Sequence, residues 1–146
     1  FSSLEQGAWG GLLWVHGRLM RQIERDLLDK HRISHPEFEV LLRLSWADDH
    51  RMRIQDLAAQ SLLTRSGISR VVERLGRVEL VTRESAPEDR RGAYAILTDR
   101  GLETLRAALR DHVALVRVQF LDRFSDEDLD RMQGFWRRAD IGDHMT

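Results

Sequence analysis

Cysteine is missing from this sequence of 146 residues, and proline occurs only twice. Without a thiol, the chain cannot form a disulfide, a thiolate zinc site or a thiol-based redox sensor. The sequence also lacks a signal peptide and any apolar run of transmembrane length, so we expect a cytoplasmic protein that does not bind membranes. The length suits one domain with its own core, or one protomer of an obligate dimer.

A large excess of either charge is missing as well, because the formal net charge is −1 at pH 7. That balance argues against a protein that binds nucleic acid over its whole surface. The charge is unevenly distributed, however. Residues 64–91 contain seven arginines and five acidic residues, which gives this stretch a local charge of +2.

The signatures of catalysis and of metal binding are missing too. There is no glycine-rich phosphate loop, nucleophile elbow or pair of catalytic acids, so we do not expect an enzyme. The six histidines have no adjacent carboxylate at a known ligand spacing, so no metal site and no cofactor are predicted.

The stretch from Arg53 to Thr98 organises the chain. Residues 54–60 predict a short helix, and Thr64 begins a second helix over 65–77 after a tight turn. On a 3.6-residue period, apolar residues share one side of the second helix: Ile68, Val71, Val72, Leu75 and Val78. Polar residues share the other side: Ser66, Ser69, Arg70, Glu73, Arg74 and Arg77.

Guanidiniums and hydroxyls on one helix face can reach phosphate oxygens and guanine edges in a major groove. Two helices joined by a three- or four-residue turn form the helix-turn-helix plan. A solvated amphipathic face is the alternative, and this helix alone does not decide between the two. Two strands, over 80–84 and 93–97, are predicted to flank a charged loop and so form a DNA-binding wing. A further short strand is expected over 52–54.

Long apolar helices are predicted on both sides of this stretch. The first runs from Leu4 to about Asp29 and the second from Asp99 to about Asp122. Ser34 and Ser125 are suited to cap two shorter helices. The last helix is expected to bury Leu129, Met132, Phe135 and Trp136. A first helix this long and apolar in a small protein indicates a partner subunit.

The run LTRSGISRVVERL over 63–75, followed by DRRGAYAILT over 89–98 and then Gly101, resembles the multiple-antibiotic-resistance regulator (MarR) family. The most specific part is the wing pattern Asp-x-Arg, with Leu-Thr beginning six residues later. Glu79 departs from the pattern, since the family usually has Gly there. Gly is the usual left-handed residue after a helix, so the recognition helix is expected to end differently here.

The resemblance covers the whole chain and implies a mainly α fold with a small β-hairpin wing. This is a winged helix-turn-helix with long N- and C-terminal dimerisation helices. It implies a single domain over 1–146, in which 1–32 and 99–146 form the dimerisation helices and 34–98 the DNA-binding lobe. The implied function is a ligand-responsive homodimeric repressor that binds a palindromic operator in double-stranded DNA through recognition helix 64–77 and wing 85–92.

The resemblance also implies roles for individual residues. Ser66, Ser69 and Arg70 would lie nearest the base edges, while Arg65, Arg74 and Arg77 would lie nearer phosphates. Gln55 and Thr64 are candidate phosphate contacts at helix starts. In the wing, Asp89 would hold an arginine and so shape the loop, Arg91 would enter the minor groove, and Arg90 would lie on the backbone.

Members of the family often bind small aromatic acids between the dimer platform and the winged helix. For a small aromatic or phenolic effector, the candidates here are Trp14, Arg18, His35 and Trp46, because an arginine beside a ring could clamp a carboxylated aromatic. Ordinary core packing of the tryptophans is the competing interpretation. A small-molecule sensor or protein-interaction module on the same fold, without specific DNA binding, is the alternative function.

Overall fold

The computed structural model describes residues 1–61, 63–86 and 92–139. Its helices are α1 (Ser3–His31), α2 (His35–Trp46), α3 (Ile54–Ala59), α4 (Arg65–Arg77), α5 (Asp99–Gln119) and α6 (Asp126–Arg138). Its strands are β1 (Arg51–Arg53), β2 (Val81–Ser85) and β3 (Ala93–Leu97). Short 3-10 turns occupy Asp48–His50 and Leu121–Arg123. The chain is therefore mainly helical with one small sheet, as predicted.

Serine side chains fix the starts of three helices. The hydroxyls of Ser2, Ser34 and Ser125 each accept a hydrogen bond from the backbone N–H three residues later. The acidic side chain at that later position accepts from the backbone N–H of the serine in return, so two otherwise unpaired donors are satisfied. The hydrogen bonds from Ser125 lower the pKa of the Asp128 carboxyl, because they favour its charged form.

The sheet is antiparallel, with strand order β1-β3-β2. Ala95 at the centre of β3 lies opposite Met52 on one side and Arg83 on the other. The short strand expected over 52–54 is present as β1, shifted by one residue. Since β1 runs directly into α3 and β2 follows α4, the sheet is anchored at both ends of the helix-turn-helix.

The chain divides into two compact units, residues 1–112 and residues 113–146. In the first unit, the helix-turn-helix packs its apolar side inwards, where Leu57, Ile68 and Leu75 are almost completely buried. The predicted apolar side of α4 is confirmed except at Val78, which is exposed. Val78 is the residue that ends α4, and its backbone has left the helical path, so the 3.6-residue period no longer applies to it.

The second unit is described as far as residue 139 and contains the end of α5 together with α6. The rings of Phe120 and Phe124 meet edge-on with their centroids 5.1 Å apart. No residue of α6 is buried, and Phe135 is exposed. The face predicted to be buried is therefore half-buried at Leu129, Met132 and Trp136, and the prediction was wrong at Phe135. Among all the described residues, no helix is both long and apolar enough to cross a membrane.

Candidate nucleic-acid interface

The helix α4 presents a polar face to solvent at the second position of the helix-turn-helix. Thr64 caps it: its hydroxyl accepts from the backbone N–H of Gly67 at 3.2 Å and lies 3.1 Å from the Ser66 hydroxyl. Ser66 and Arg70 are exposed and Ser69 is half-buried. The three residues expected nearest the bases thus share the outward side of one helix.

The arginines of α4 differ in their partners. Arg77 pairs with Glu73 one turn earlier at 2.6 Å, and both side chains are exposed. Arg74 pairs through its Nε with Glu37 of α2 at 2.8 Å, and that carboxylate is buried. Within the described ranges, neither Arg65 nor Arg70 forms a salt bridge with a carboxylate. As far as the described residues go, Arg65 and Arg70 are therefore the cations of this helix that an external anion can meet without displacing an acid.

A surface cavity of about 60 Å³ lies beside the first turn of α4. Its lining consists of three arginines and several smaller residues: Arg53, Ile54, Gln55, Arg65, Ser69, Arg83, Gly92 and Ala93. Guanidinium groups are well suited to bind an oxyanion such as a phosphate. Gln55, Arg65 and Ser69 were predicted from the sequence as site residues.

Arg53 and Arg83 were not among the predicted site residues. Arg53 precedes α3 and its Nε donates to the Tyr94 hydroxyl at 3.2 Å, while Arg51 stacks on the same ring at 3.8 Å from its centroid. Arg83 lies on the exposed part of β2. Arg53 directly precedes Ile54 and Gln55, which line the same cavity, so its position beside the predicted site residue Gln55 was the sequence signal that could have found it.

The base of the wing is closed by a hydrogen bond from the Ala86 N–H to the Gly92 carbonyl oxygen at 3.0 Å. The predicted wing residues Asp89, Arg90 and Arg91 lie outside the described residues. Their roles therefore stay predictions.

A model of the MarR family matches residues 33–92. The whole fold is similar to that of AbsC, a MarR family transcriptional regulator from Streptomyces coelicolor. That match has 36% identity, covers 95% of this chain and 93% of AbsC, and has a TM-score of 0.88. This chain belongs to the MarR family.

Two further MarR-type relatives support the assignment. Sco3205 from Streptomyces coelicolor, solved in complex with DNA, is 32% identical, with 95% of this chain and 87% of Sco3205 covered and a TM-score of 0.90. The HTH-type transcriptional regulator MhqR from Bacillus subtilis is 28% identical over 78% of this chain and 77% of its own length. The MarR protein described here is thus a winged helix-turn-helix transcriptional regulator and not an enzyme.

The candidate effector residues of this MarR protein fall into separate places. Trp14 and Arg18 are neighbours on α1, with the guanidinium 5.4 Å from the ring centroid. His35 begins α2 and Trp46 ends it, which separates their backbones by about 16 Å at 1.5 Å per residue. The structure therefore brings Trp14 and Arg18 together but does not bring His35 and Trp46 to one site.

A histidine cluster joins α1, α2 and α5, and His35 is the member of it that was predicted as a site residue. His31 Nε2 lies 2.9 Å from the Asp111 carboxylate, and the His112 ring contacts Phe38 with centroids 5.1 Å apart. Burial lowers the pKa of His112, and the nearby His35 lowers it further. Among the described residues, no group of three His, Asp or Glu side chains could hold a metal ion.

Proposed function

We propose that this MarR-type regulator is a homodimeric, ligand-responsive repressor that binds a palindromic operator. The observation that carries the proposal is the outward face of α4, where Arg70 and Ser66 are exposed and Arg70 has no acidic partner within the described residues. An arginine in that state can form a bidentate contact with a guanine edge. The similarity to Sco3205, which has been solved with DNA, supports the same interpretation.

The proposed contacts divide into two classes. Ser66, Ser69 and Arg70 would face base edges, whereas the arginine-lined cavity beside α4 would take a backbone phosphate. Gln55 and Thr64 would contribute at helix starts, and Arg91 with Arg90 would reach the minor groove beside a loop shaped by Asp89. Phosphate contacts position the protein, and base contacts give it sequence preference.

Dimerisation is proposed through residues 1–32 and 99–146, with 34–98 as the DNA-binding lobe of one single-domain protomer. The first half of α1 supports this, because several of its large apolar side chains are exposed in the single chain. Two protomers would hold their recognition helices about 34–36 Å apart, one turn of DNA. A ligand that favours another separation would release the operator in proportion to its preference for the free state.

The effector part of the proposal rests on Trp14 and Arg18, since their stacked arrangement matches what a small carboxylated or phenolic ring requires. Release of operator DNA by such a compound, with loss of the response in Arg18→Gln, is the expected result.

The proposed function is tested by titrating the protein with DNA from its own upstream region and with unrelated DNA of equal length. Arg70→Ala should cost about 1–3 kcal/mol on the operator and much less on unrelated DNA. Arg91→Ala should weaken both with a smaller change in sequence preference. Arg106→Ala, which removes an exposed arginine from α5, is the matched control. Equal affinities of the wild type for both DNAs would contradict the proposal.

A further inference from the structure

Glu37 is an unusual acidic residue in this fold, because its side chain is buried with only 3% exposed. One carboxylate oxygen accepts from the backbone N–H of Ser34 at 2.7 Å and completes the cap of α2. The other lies 2.8 Å from Nε of Arg74 on the recognition helix. A buried carboxylate is costly unless it is paired, so Arg74 is held at this position.

The pairing with Glu37 leaves Arg74 accessible to solvent. Its side chain remains 59% exposed, so much of the guanidinium still faces solvent. On a helix with 100° per residue, Arg74 lies roughly 40° around from Arg70. It therefore sits at the edge of the outward face of α4, on the side towards α2.

A second acid on the same helix gives the contrast. Glu73 also pairs with an arginine, Arg77, but both of those side chains are exposed, at 58% and 73%. An exposed pair holds its members weakly, and DNA phosphates can replace the Glu73 carboxylate. Glu37 cannot leave in the same way, because it is enclosed by the protein and bonded to the start of α2.

We propose that Glu37 is a positioning residue for DNA binding, which holds the Arg74 guanidinium ready for a backbone phosphate. The benefit is entropic: an arginine that is already ordered loses less rotamer freedom when it binds. The proposal rests on the proposed DNA-binding role of α4 and adds to it a residue that does not itself touch DNA. The pairing of Glu37 with Arg74 also links the recognition helix to the start of α2. That start is in turn joined to α1, because the His35 N–H donates to the Glu24 carboxylate at 2.8 Å.

The sign of the effect separates this role from a purely structural one. Removing a negative charge near a DNA-binding face should normally tighten DNA binding. Glu73→Gln is expected to do so. Glu37→Gln, which keeps an oxygen to accept from Ser34, should instead weaken binding about two- to tenfold, because the Arg74 side chain becomes free to move.

The experiment measures operator affinity by fluorescence anisotropy at salt concentrations from roughly 50 to 200 mM, where phosphate contacts dominate the salt dependence. The variants are Glu37→Gln, Glu73→Gln, Arg74→Gln and the Glu37→Gln/Arg74→Gln double variant. Arg74→Gln should reduce the steepness of the salt dependence by about one phosphate contact. The double variant should bind no more weakly than Arg74→Gln alone, because Glu37 acts through Arg74. Circular dichroism establishes that each variant is folded.

Two results would overturn the proposal: Glu37→Gln binding at least as tightly as the wild type, or losses that add in full in the double variant. If Glu37→Gln does not fold, Glu37→Asp provides the test, since it keeps the buried charge but shortens the side chain and so withdraws the carboxylate from Arg74 Nε. That variant should bind more weakly, and wild-type affinity would overturn the proposal. Absence of specific binding by the wild type would instead contradict the proposed function itself.

Discussion

Glu79 adopts a backbone conformation that usually belongs to glycine. Its φ is 60°, its N–H donates to the Gly76 carbonyl oxygen at 3.1 Å, and its own carbonyl accepts from the Thr98 hydroxyl at 2.8 Å. The sequence departure at this position was expected to change how the recognition helix ends. The structure instead keeps the left-handed turn and places a side chain in it, where it pairs with Arg100 at 3.1 Å.

This conformation predicts an unusual order of stability among substitutions at residue 79. A Cβ in the left-handed region is strained, and the pair with Arg100 is exposed and weak. Glu79→Gly should therefore be more stable than Glu79→Ala by about 1 kcal/mol, although glycine normally destabilises a folded chain. Urea unfolding of the two variants measures this, since both lose the ion pair and differ only in Cβ. Equal midpoints would mean that the turn is not strained.

At the level of elements, the start of α5 is joined tightly to the end of the helix-turn-helix. The Thr98 N–H donates to the Leu80 carbonyl oxygen at 3.1 Å, and its hydroxyl accepts from the Gly101 N–H at 2.9 Å. A Cβ on Gly101 would collide with the Leu80 carbonyl oxygen and with the Leu97 side chain. The residues of the Leu-Thr-x-x-Gly part of the family pattern therefore lie together where the start of α5 packs against the end of the helix-turn-helix.

Gly101→Ala is expected to destabilise the protein by about 1–3 kcal/mol, because the collision is with backbone that cannot move aside cheaply. Gly134→Ala in α6 is the matched control, since nothing lies within 4 Å of the added Cβ. That control should gain about 0.5–1 kcal/mol from improved helix propensity. Thermal unfolding of both variants measures the difference, and two changes of the same sign would contradict the packing argument.

Local patterns predicted these elements well, whereas contacts between distant residues escaped them. The cap at Ser34 and the apolar side of α4 each depend on neighbours within a few positions, and both were predicted. The pairing of Glu37 with Arg74 joins residues far apart in the chain, so no periodicity could indicate it. The exposure of Phe135 was not predicted for the same reason, because the spacing of apolar residues along a helix does not show which element packs on them.

At the scale of the whole molecule, the first helix is covered along only part of its length. The apolar stripe from Leu4 through Leu12 to Leu27 follows spacings of three and four residues and so winds slowly around α1. Near its end Ile23 and Leu27 are buried, but near its start Leu4 is 83%, Trp9 53% and Leu12 43% exposed. A continuous apolar stripe that loses its cover halfway is typical of an interaction surface. A second copy of the chain would extend the cover over the uncovered half.

This surface predicts that Leu12→Glu separates the proposed dimer into monomers. A carboxylate placed on the stripe would have to be buried without a partner. Leu12 is 43% exposed in the single chain, so covering the rest of its side chain contributes about 1 kcal/mol in each protomer. Sedimentation velocity at micromolar concentration should give twice the 17.0 kDa chain mass for the wild type and a single chain mass for the variant. Ser3→Glu adds the same charge nine residues away on the opposite face and should leave the dimer intact. A dimeric Leu12→Glu protein would place the interface elsewhere.

Monomer formation should also change how the protein binds its operator. In a dimer, binding of one recognition helix raises the effective concentration of the second to about the millimolar range. A folded Leu12→Glu monomer should therefore lose most of its operator affinity while its weak affinity for a single half-site stays near the wild-type value. Titrations on the full operator and on an isolated half-site measure the two quantities. Equal losses on both would mean that the substitution damages the DNA-binding lobe, so the half-site affinity decides whether the dimer or the lobe is responsible.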